Sequence, residues 1–177
     1  MRYSYGMTKT LLDDAFAHHN WATLRLLDIL LTLTPEQLAT SIPGTYGSIR
    51  FTIGHLTGSD AWYLANATGD QSLNVDPREL DLQQSRDVIE RNGALWAKFL
   101  AGRPNPETIV YEVEDRYERH APLGVWLAQA LHHGSDHRSQ IFTALTSLGI
   151  EPPELDVWEH GAQTGSILEF CPLPDAQ

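Results

Sequence analysis

Two histidines, His133 and His137, stand four residues apart in a segment whose apolar residues recur at helical spacing. Residues at positions i and i+4 lie one turn apart on the same helix face, so both imidazoles can converge on one ion. They share this face with Trp126, Ala130 and Ile141, which predicts that both point into the core. Buried imidazoles need partners for their nitrogens, and a shared metal ion would satisfy both at once.

A third histidine, His55, falls on the predicted core face of another helix, between Thr52 and Leu56. With His133 and His137 it completes a set of three neutral nitrogen ligands from two helices. Three protein ligands leave a coordination position for water or substrate, which is typical of catalytic rather than structural zinc sites. The alternative is a purely structural bundle in which the three histidines are merely packed.

The sequence excludes two better-known metal motifs. A zincin requires Glu directly after the first histidine of the pair, and here Gly134 follows His133. A ferritin-like di-iron bundle requires paired Glu-x-x-His motifs, and the sequence contains none. The lone cysteine, Cys171, rules out a Cys-rich metal cage and a redox CxxC pair, and we expect it to be inert.

The five remaining histidines are expected to lie outside the site. His18 and His19, in the middle of the first helix, are predicted to be solvated or to line the core. His120 in a predicted hairpin and His160 in the C-terminal tail are predicted to be exposed. His132 lies about 100° around the helix from the neighbouring ligand, so it should point away from the ion.

Four segments with apolar residues at steps of three and four must position these side chains. The predicted helices span 8–33, 48–69, 81–102 and 122–149. Ser48 and Asp81 are the expected N-caps of the second and third helices, and a short helical turn is expected after Thr34. Gly54 and Gly58 weaken the second helix, so we expect them to allow close packing.

The rest of the chain predicts one small addition to the helices. A β-branched stretch at 108–113, with 114–117 as a turn, indicates a hairpin before the last long helix. The tail over 151–177 contains four prolines and is predicted to be irregular. The fold class is therefore all-α, a four-helix bundle that forms a single domain over 1–177.

The charge composition narrows the possible partners. The 177 residues carry 12 Lys+Arg against 23 Asp+Glu, a formal net charge of −11, which disfavours contact with nucleic acid or an anionic membrane surface. The most apolar stretch, 26–33, contains Asp28 and is far shorter than the roughly 20 residues of a membrane span. Without a secretory signal pattern, and with one cysteine, the chain is expected to be cytoplasmic.

Several motifs, in order and at similar separations, resemble those of the DinB/YfiT-like superfamily of metal-dependent enzymes. They are Asn20-Trp21-Ala22, Gly54-His55-Leu56, His133-Gly134-Ser135-Asp136-His137-Arg138 and Leu148-Gly149-Ile150-Glu151-Pro152. The resemblance covers most of the chain and implies a four-helix bundle in which His55, His133 and His137 bind one divalent ion, zinc or nickel. Asp136 and Ser139 stand where the family pattern often has His and Gly, a departure that concerns the surroundings of the ligands.

The resemblance also implies an activity. Relatives include thiol-dependent S-transferases and a mycothiol-dependent isomerase, in which the metal is thought to activate a low-molecular-weight thiol. We therefore expect an enzyme that transfers such a thiol to an electrophilic small molecule. The residues expected to line its pocket are Trp62, Tyr63, Trp126 and Arg138.

Two other functions remain open from the sequence. One is a hydrolase that uses metal-bound water, since zinc can lower the pKa of its water to about 7. The other is a metal-binding stress-response protein without turnover. Five tryptophans and long exposed helix edges, together with the resemblance, favour a homodimer.

Overall fold

The computed structural model describes residues 9–114 and 116–167. Its elements, in chain order, are α1 (Leu11–Leu30), α2 (Pro35–Leu38), α3 (Ile49–Thr68), α4 (Leu82–Ala101), β1 (Ile109–Glu114), β2 (Tyr117–Pro122), α5 (Leu123–Ser147) and α6 (Val157–Gln163). The four long helices form the bundle, and the antiparallel hairpin of β1 and β2 connects α4 to α5. The predicted all-α four-helix bundle with a small hairpin is confirmed. Across the described ranges, no helix combines the length and apolar character needed to cross a bilayer.

Local capping explains where the long helices begin. The Ser48 side chain accepts a hydrogen bond from the amide three residues on, at the start of α3. Asp81 and Gln84 exchange side-chain and backbone hydrogen bonds as a capping box at the start of α4. α1 ends at Leu30 rather than at the predicted 33, because the chain must turn before α2 begins.

The buried side chains of the bundle form two apolar clusters with polar residues between them. The first cluster includes Leu26, Leu27, Leu30, Ile49, Ile53, Leu56, Ile89, Ile141 and Leu145. The second includes Phe16, Tyr63, Leu64, Trp96, Leu100, Leu123, Trp126 and Leu127. The buried residues between these clusters include five polar ones from the four long helices, namely His19, Thr23, Asp60, Asn92 and Arg138. The titratable groups of the core are thus concentrated near the middle of the bundle.

The loop between α3 and α4 lies directly on α3. A Cβ atom at Gly58 would come within 2.9 Å of Pro77 Cγ, and one at Gly54 would lie 3.5 Å from the Pro77 carbonyl oxygen. The close packing expected at these two glycines is therefore between a helix and a loop. Because His55 lies between them on α3, this loop forms a wall beside that side chain.

The C-terminal segment departs from the irregular structure predicted for it. Asp156 caps α6 by accepting a hydrogen bond from the Glu159 amide at 2.7 Å. His160, predicted to be exposed, is half-buried, with its ring centroid 5.2 Å from that of Trp21 and 5.9 Å from that of His18. Packing of α6 against α1 accounts for both differences. Cys171 lies outside the described residues.

Candidate metal centre

The three histidines predicted from their spacing converge on one spot between α3 and α5. His133 Nε2 lies 3.0 Å from His55 Nε2 and 3.1 Å from His137 Nε2. One nitrogen from each ring lies within 4.8 Å of the others, and the group could hold a metal ion. Ligands at 2.0–2.1 Å from a tetrahedral zinc are separated by about 3.3 Å, so the spacing of the nitrogens suits such an ion.

The surroundings of these rings favour the neutral imidazole that a metal requires. His137 is 6% exposed, whereas His55 and His133 are half-buried. Burial first, and then the neighbouring His137 and His55, lower the pKa of His133 to about 4. Burial and His137 also lower the pKa of His55. At neutral pH, His55 and His133 therefore each have a nitrogen lone pair available for a metal ion.

Tyr46 and Gln140 hold two of the rings in place, and sequence reasoning missed both of them. Gln140 Oε1 lies 3.2 Å from His137 Nδ1 and accepts a hydrogen bond from the Tyr46 amide at 2.9 Å. Because this oxygen is an acceptor, Nδ1 of His137 carries the proton and its Nε2 is left free for an ion. The Tyr46 ring stacks on His55 at a centroid distance of 4.2 Å. The available signal for Gln140 was its i+3 spacing from His137.

Two cavities meet at His55. We call the larger one, of about 790 Å³, the arginine cavity; it is lined by Arg50, Phe51, Asp76 and Arg78 as well as His55. We call the other, of about 580 Å³, the hairpin cavity; its lining includes Trp62, Tyr63, Glu112, Arg119, His55 and His133. Val75 and Pro77, from the α3–α4 loop, line both. Small molecules can therefore approach the histidines from two sides.

Two of the four residues predicted to line the pocket do so. Trp62 and Tyr63 line the hairpin cavity beside His133. Trp126 lines neither cavity, because it is buried against both of these rings and donates its indole N–H to the Tyr63 carbonyl at 2.9 Å. Arg138 also lines neither cavity, because it points into the bundle and is only 7% exposed.

Arg138 belongs to a buried polar network on the inner side of α5. It donates to Thr23 Oγ1 at 3.1 Å and lies 3.3 Å from His19 Nδ1. The guanidinium has only donors, so Nδ1 of His19 must accept, and its Nε2 donates to Asp60 at 3.2 Å. Burial lowers the pKa of Arg138 to about 10, while Asp60 opposes this shift, so the side chain stays charged at neutral pH.

Asp60 is the acceptor at the centre of this network. Besides His19, its carboxylate accepts from Asn92 at 2.7 Å and from Trp96 at 3.1 Å. Burial raises the pKa of Asp60, but the hydrogen bonds from His19, Asn92 and Trp96 outweigh it, and the pKa lies below its usual value. The network thus connects α1, α3 and α4 to α5, next to the helical turn that carries His133 and His137.

Gly134 explains how this network fits behind the histidine pair. A Cβ atom at this position would lie 2.2 Å from His19 Cε1, which no side chain can tolerate without a shift. The glycine between His133 and His137 therefore lets the His19 ring pack directly on the backbone of α5. The sequence showed this glycine only as the residue that excludes a zincin.

The stability of the metal-free protein is expected to depend on the charge of His133. Its folded pKa of about 4 lies below the ordinary 6.5, so the unfolded state takes up the proton first as the pH falls. The free energy of unfolding should therefore decrease as the pH falls from about 7 to about 4. At lower pH the contribution of His133 should stop changing, because the residue is then protonated in both the folded and the unfolded state. Urea unfolding across this range measures it. A His133→Gln variant, which cannot titrate there, should show a weaker dependence; an equal dependence would contradict the assignment.

These observations define the protein as a four-helix bundle with an open three-histidine site that could hold a divalent ion. A sequence profile of the DinB family matches residues 7–166, and the chain belongs to that family. The crystal structure of a DinB-like protein from Bacillus cereus is similar in fold, with a TM-score of 0.58 and 17% sequence identity. The match covers 80% of this chain and 93% of that one. No protein with a curated description matches the chain.

Proposed function

We propose that this protein is a metal-dependent enzyme that transfers a low-molecular-weight thiol to an electrophilic small molecule. The observation that carries the proposal is the convergence of three imidazole nitrogens where two cavities meet. A site with only three protein ligands keeps a position for a reacting group, and two cavities offer room for two substrates. The implied ion is zinc or nickel, both of which imidazole ligands suit.

The residues fit such an ion because they provide three nitrogen donors that lie within 4.8 Å of one another. A bound divalent ion would supply Lewis acidity, which favours the thiolate form of an incoming thiol at neutral pH. His55, His133 and His137 would hold it, while Gln140 and Tyr46 orient two of these rings. Trp62 and Tyr63 would exclude water from an apolar electrophile in the hairpin cavity.

The nucleophile in this proposal comes from a second substrate. Among the described residues that line the two cavities there is no cysteine. Within the described residues, the serines beside the site, Ser48 and Ser59, form no hydrogen bond with a histidine that could act as their base. An added thiol is thus the strongest nucleophile that the described site can receive, because its thiolate forms more readily than an alkoxide.

The test is turnover by zinc- or nickel-loaded protein with a thiol and an electrophile, such as cysteine or glutathione with chlorodinitrobenzene. The proposal expects thioether formation above the uncatalysed rate, and loss of that excess in His55→Ala. His132→Ala, which removes an exposed histidine on α5, is the matched control. Product formed without thiol would favour the hydrolase. No turnover across a broad panel, with the metal fully loaded, would favour a non-catalytic metal-binding protein.

A further inference from the structure

The arginine cavity differs in charge from the chain as a whole. The chain has 23 acidic residues against 12 basic ones, yet this cavity is lined by two arginines, Arg50 and Arg78, and one carboxylate, Asp76. The side chains of these three residues carry one net positive charge between them. An anionic small molecule would therefore be attracted here and repelled by much of the remaining surface.

The two guanidinium groups have donors left for a ligand. Arg78 uses Nε and Nη2 on the Asp76 carboxylate, and its Nη1 makes no hydrogen bond within the described part of the chain. Arg50 donates from Nη2 to the Leu80 carbonyl. Its Nη1 lies beside Gly54, where a Cβ atom would be only 3.3 Å away. Each arginine thus has one hydrogen-bonding partner at the cavity wall, which leaves Nη1 of each group for recognition.

The wall of this cavity also directs a ligand towards the histidines. Pro77 packs on Gly58 and Gly54, and it lines both the arginine cavity and the hairpin cavity. His55 lines both as well, so it lies at the point where the two spaces adjoin. A molecule held by the arginines at one end can present its other end at the three-histidine site.

We propose that the arginine cavity is a carboxylate-binding subsite, in which Arg50 and Arg78 hold the carboxylate of a small molecule whose reactive end lies at His55. Arg78 is already paired with Asp76, so the metal-free cavity keeps one unpaired positive charge, which matches the single charge of a carboxylate. Guanidinium groups also match the planar geometry of a carboxylate. The role of the subsite as the place of the thiol substrate rests on the proposed function. Its binding of a carboxylate does not need a metal ion.

The test uses S-methylglutathione, which carries two carboxylates and has no free thiol. Calorimetric titration of the full chain, both zinc-loaded and metal-free, is expected to give binding that Arg78→Gln weakens at least about threefold, the size of a solvent-screened charge interaction. Asp76→Asn should strengthen binding by a similar factor, because it removes the carboxylate that competes for Arg78. The dimethyl ester of the same probe, with neutral carboxyl groups, should bind weakly and respond to neither variant.

Arg25→Gln is the matched control, since it removes one positive charge from an exposed position on α1 and lies outside the cavity. The side chain of Arg78 is 84% exposed, so its replacement should leave the urea midpoint unchanged. Equal affinities in Arg78→Gln and Arg25→Gln, or binding of the ester as strong as that of the acid, would overturn the subsite. Carboxylate binding without any thiol turnover would instead retain the subsite and refute the proposed reaction.

Discussion

Replacement of His133 by alanine is expected to have the largest effect on metal binding. Its Nε2 is the central nitrogen of the site, within 3.1 Å of those of both His55 and His137. Loss of residues that only support a ligand costs 10–100-fold in affinity, so loss of this ligand should cost at least about 100-fold. Equilibrium dialysis against zinc with a competing chelator, followed by elemental analysis, measures the change.

His132→Ala provides the control for this experiment, because it removes a neighbouring histidine that is exposed on the same helix. It should retain about one equivalent of zinc, as the wild type does under the three-ligand arrangement. His55→Ala and His137→Ala should also lose zinc, because each removes one of the three nitrogen donors. A purely structural role for the three histidines predicts the opposite, namely equal zinc in all four variants and the wild type.

Replacement of Asp60 by alanine is expected to have the largest effect on stability. The side chain is 5% exposed and accepts hydrogen bonds from His19, Asn92 and Trp96. Alanine would leave three buried donors without an acceptor and Arg138 without its negative partner in the core. Removal of one partner from a buried charged network costs about 3–5 kcal/mol, a large part of the stability of a typical domain.

Urea unfolding of the metal-free protein measures this change without a contribution from metal binding. Asp60→Asn should fall between the wild type and Asp60→Ala, because the amide keeps one acceptor but adds donors that face Asn92. Asp87→Ala on α4 is the matched control, since this aspartate is exposed, and its stability should change by less than about 0.5 kcal/mol. A loss in Asp60→Ala no larger than that of the control would show that the network contributes little.

The buried network around Asp60 and Arg138 connects the stability of the bundle with the candidate metal site through α5. Arg138 directly follows His137, and Gly134 directly follows His133. One side of this helix segment is held by His19 and Thr23 from α1, while its other side presents the imidazoles to His55 on α3. The polar layer of the core thus fixes the rotation of α5, on which the spacing of the nitrogens depends.

Much of the fold followed from patterns local to the sequence. The i, i+3 and i+4 periodicity predicted the four long helices, and Ser48 and Asp81 predicted where two of them begin. The His133–His137 pair was predictable because its spacing equals about one helical turn, whatever the helix packs against. Such features depend on residues within a few positions of each other, and the sequence contains all of them.

Other features required the packing of distant segments. The sequence predicted that Arg138 and Trp126 line the pocket, whereas the rotation of α5 directs Arg138 to His19 and Trp126 to Trp62. It left the segment around α6 irregular, although contact with α1 stabilises a helix there.

The sequence by itself determined the helices and the spacing of one histidine pair, and it predicted His55 as the third candidate ligand. Only the tertiary structure decided that His55 meets this pair, that Tyr46 and Gln140 orient the rings, and that an arginine-lined cavity adjoins them. The physical reason is that helical periodicity fixes which side chains share a face, but not which faces meet. That choice depends on the fit of whole surfaces, such as the packing of the α3–α4 loop on α3.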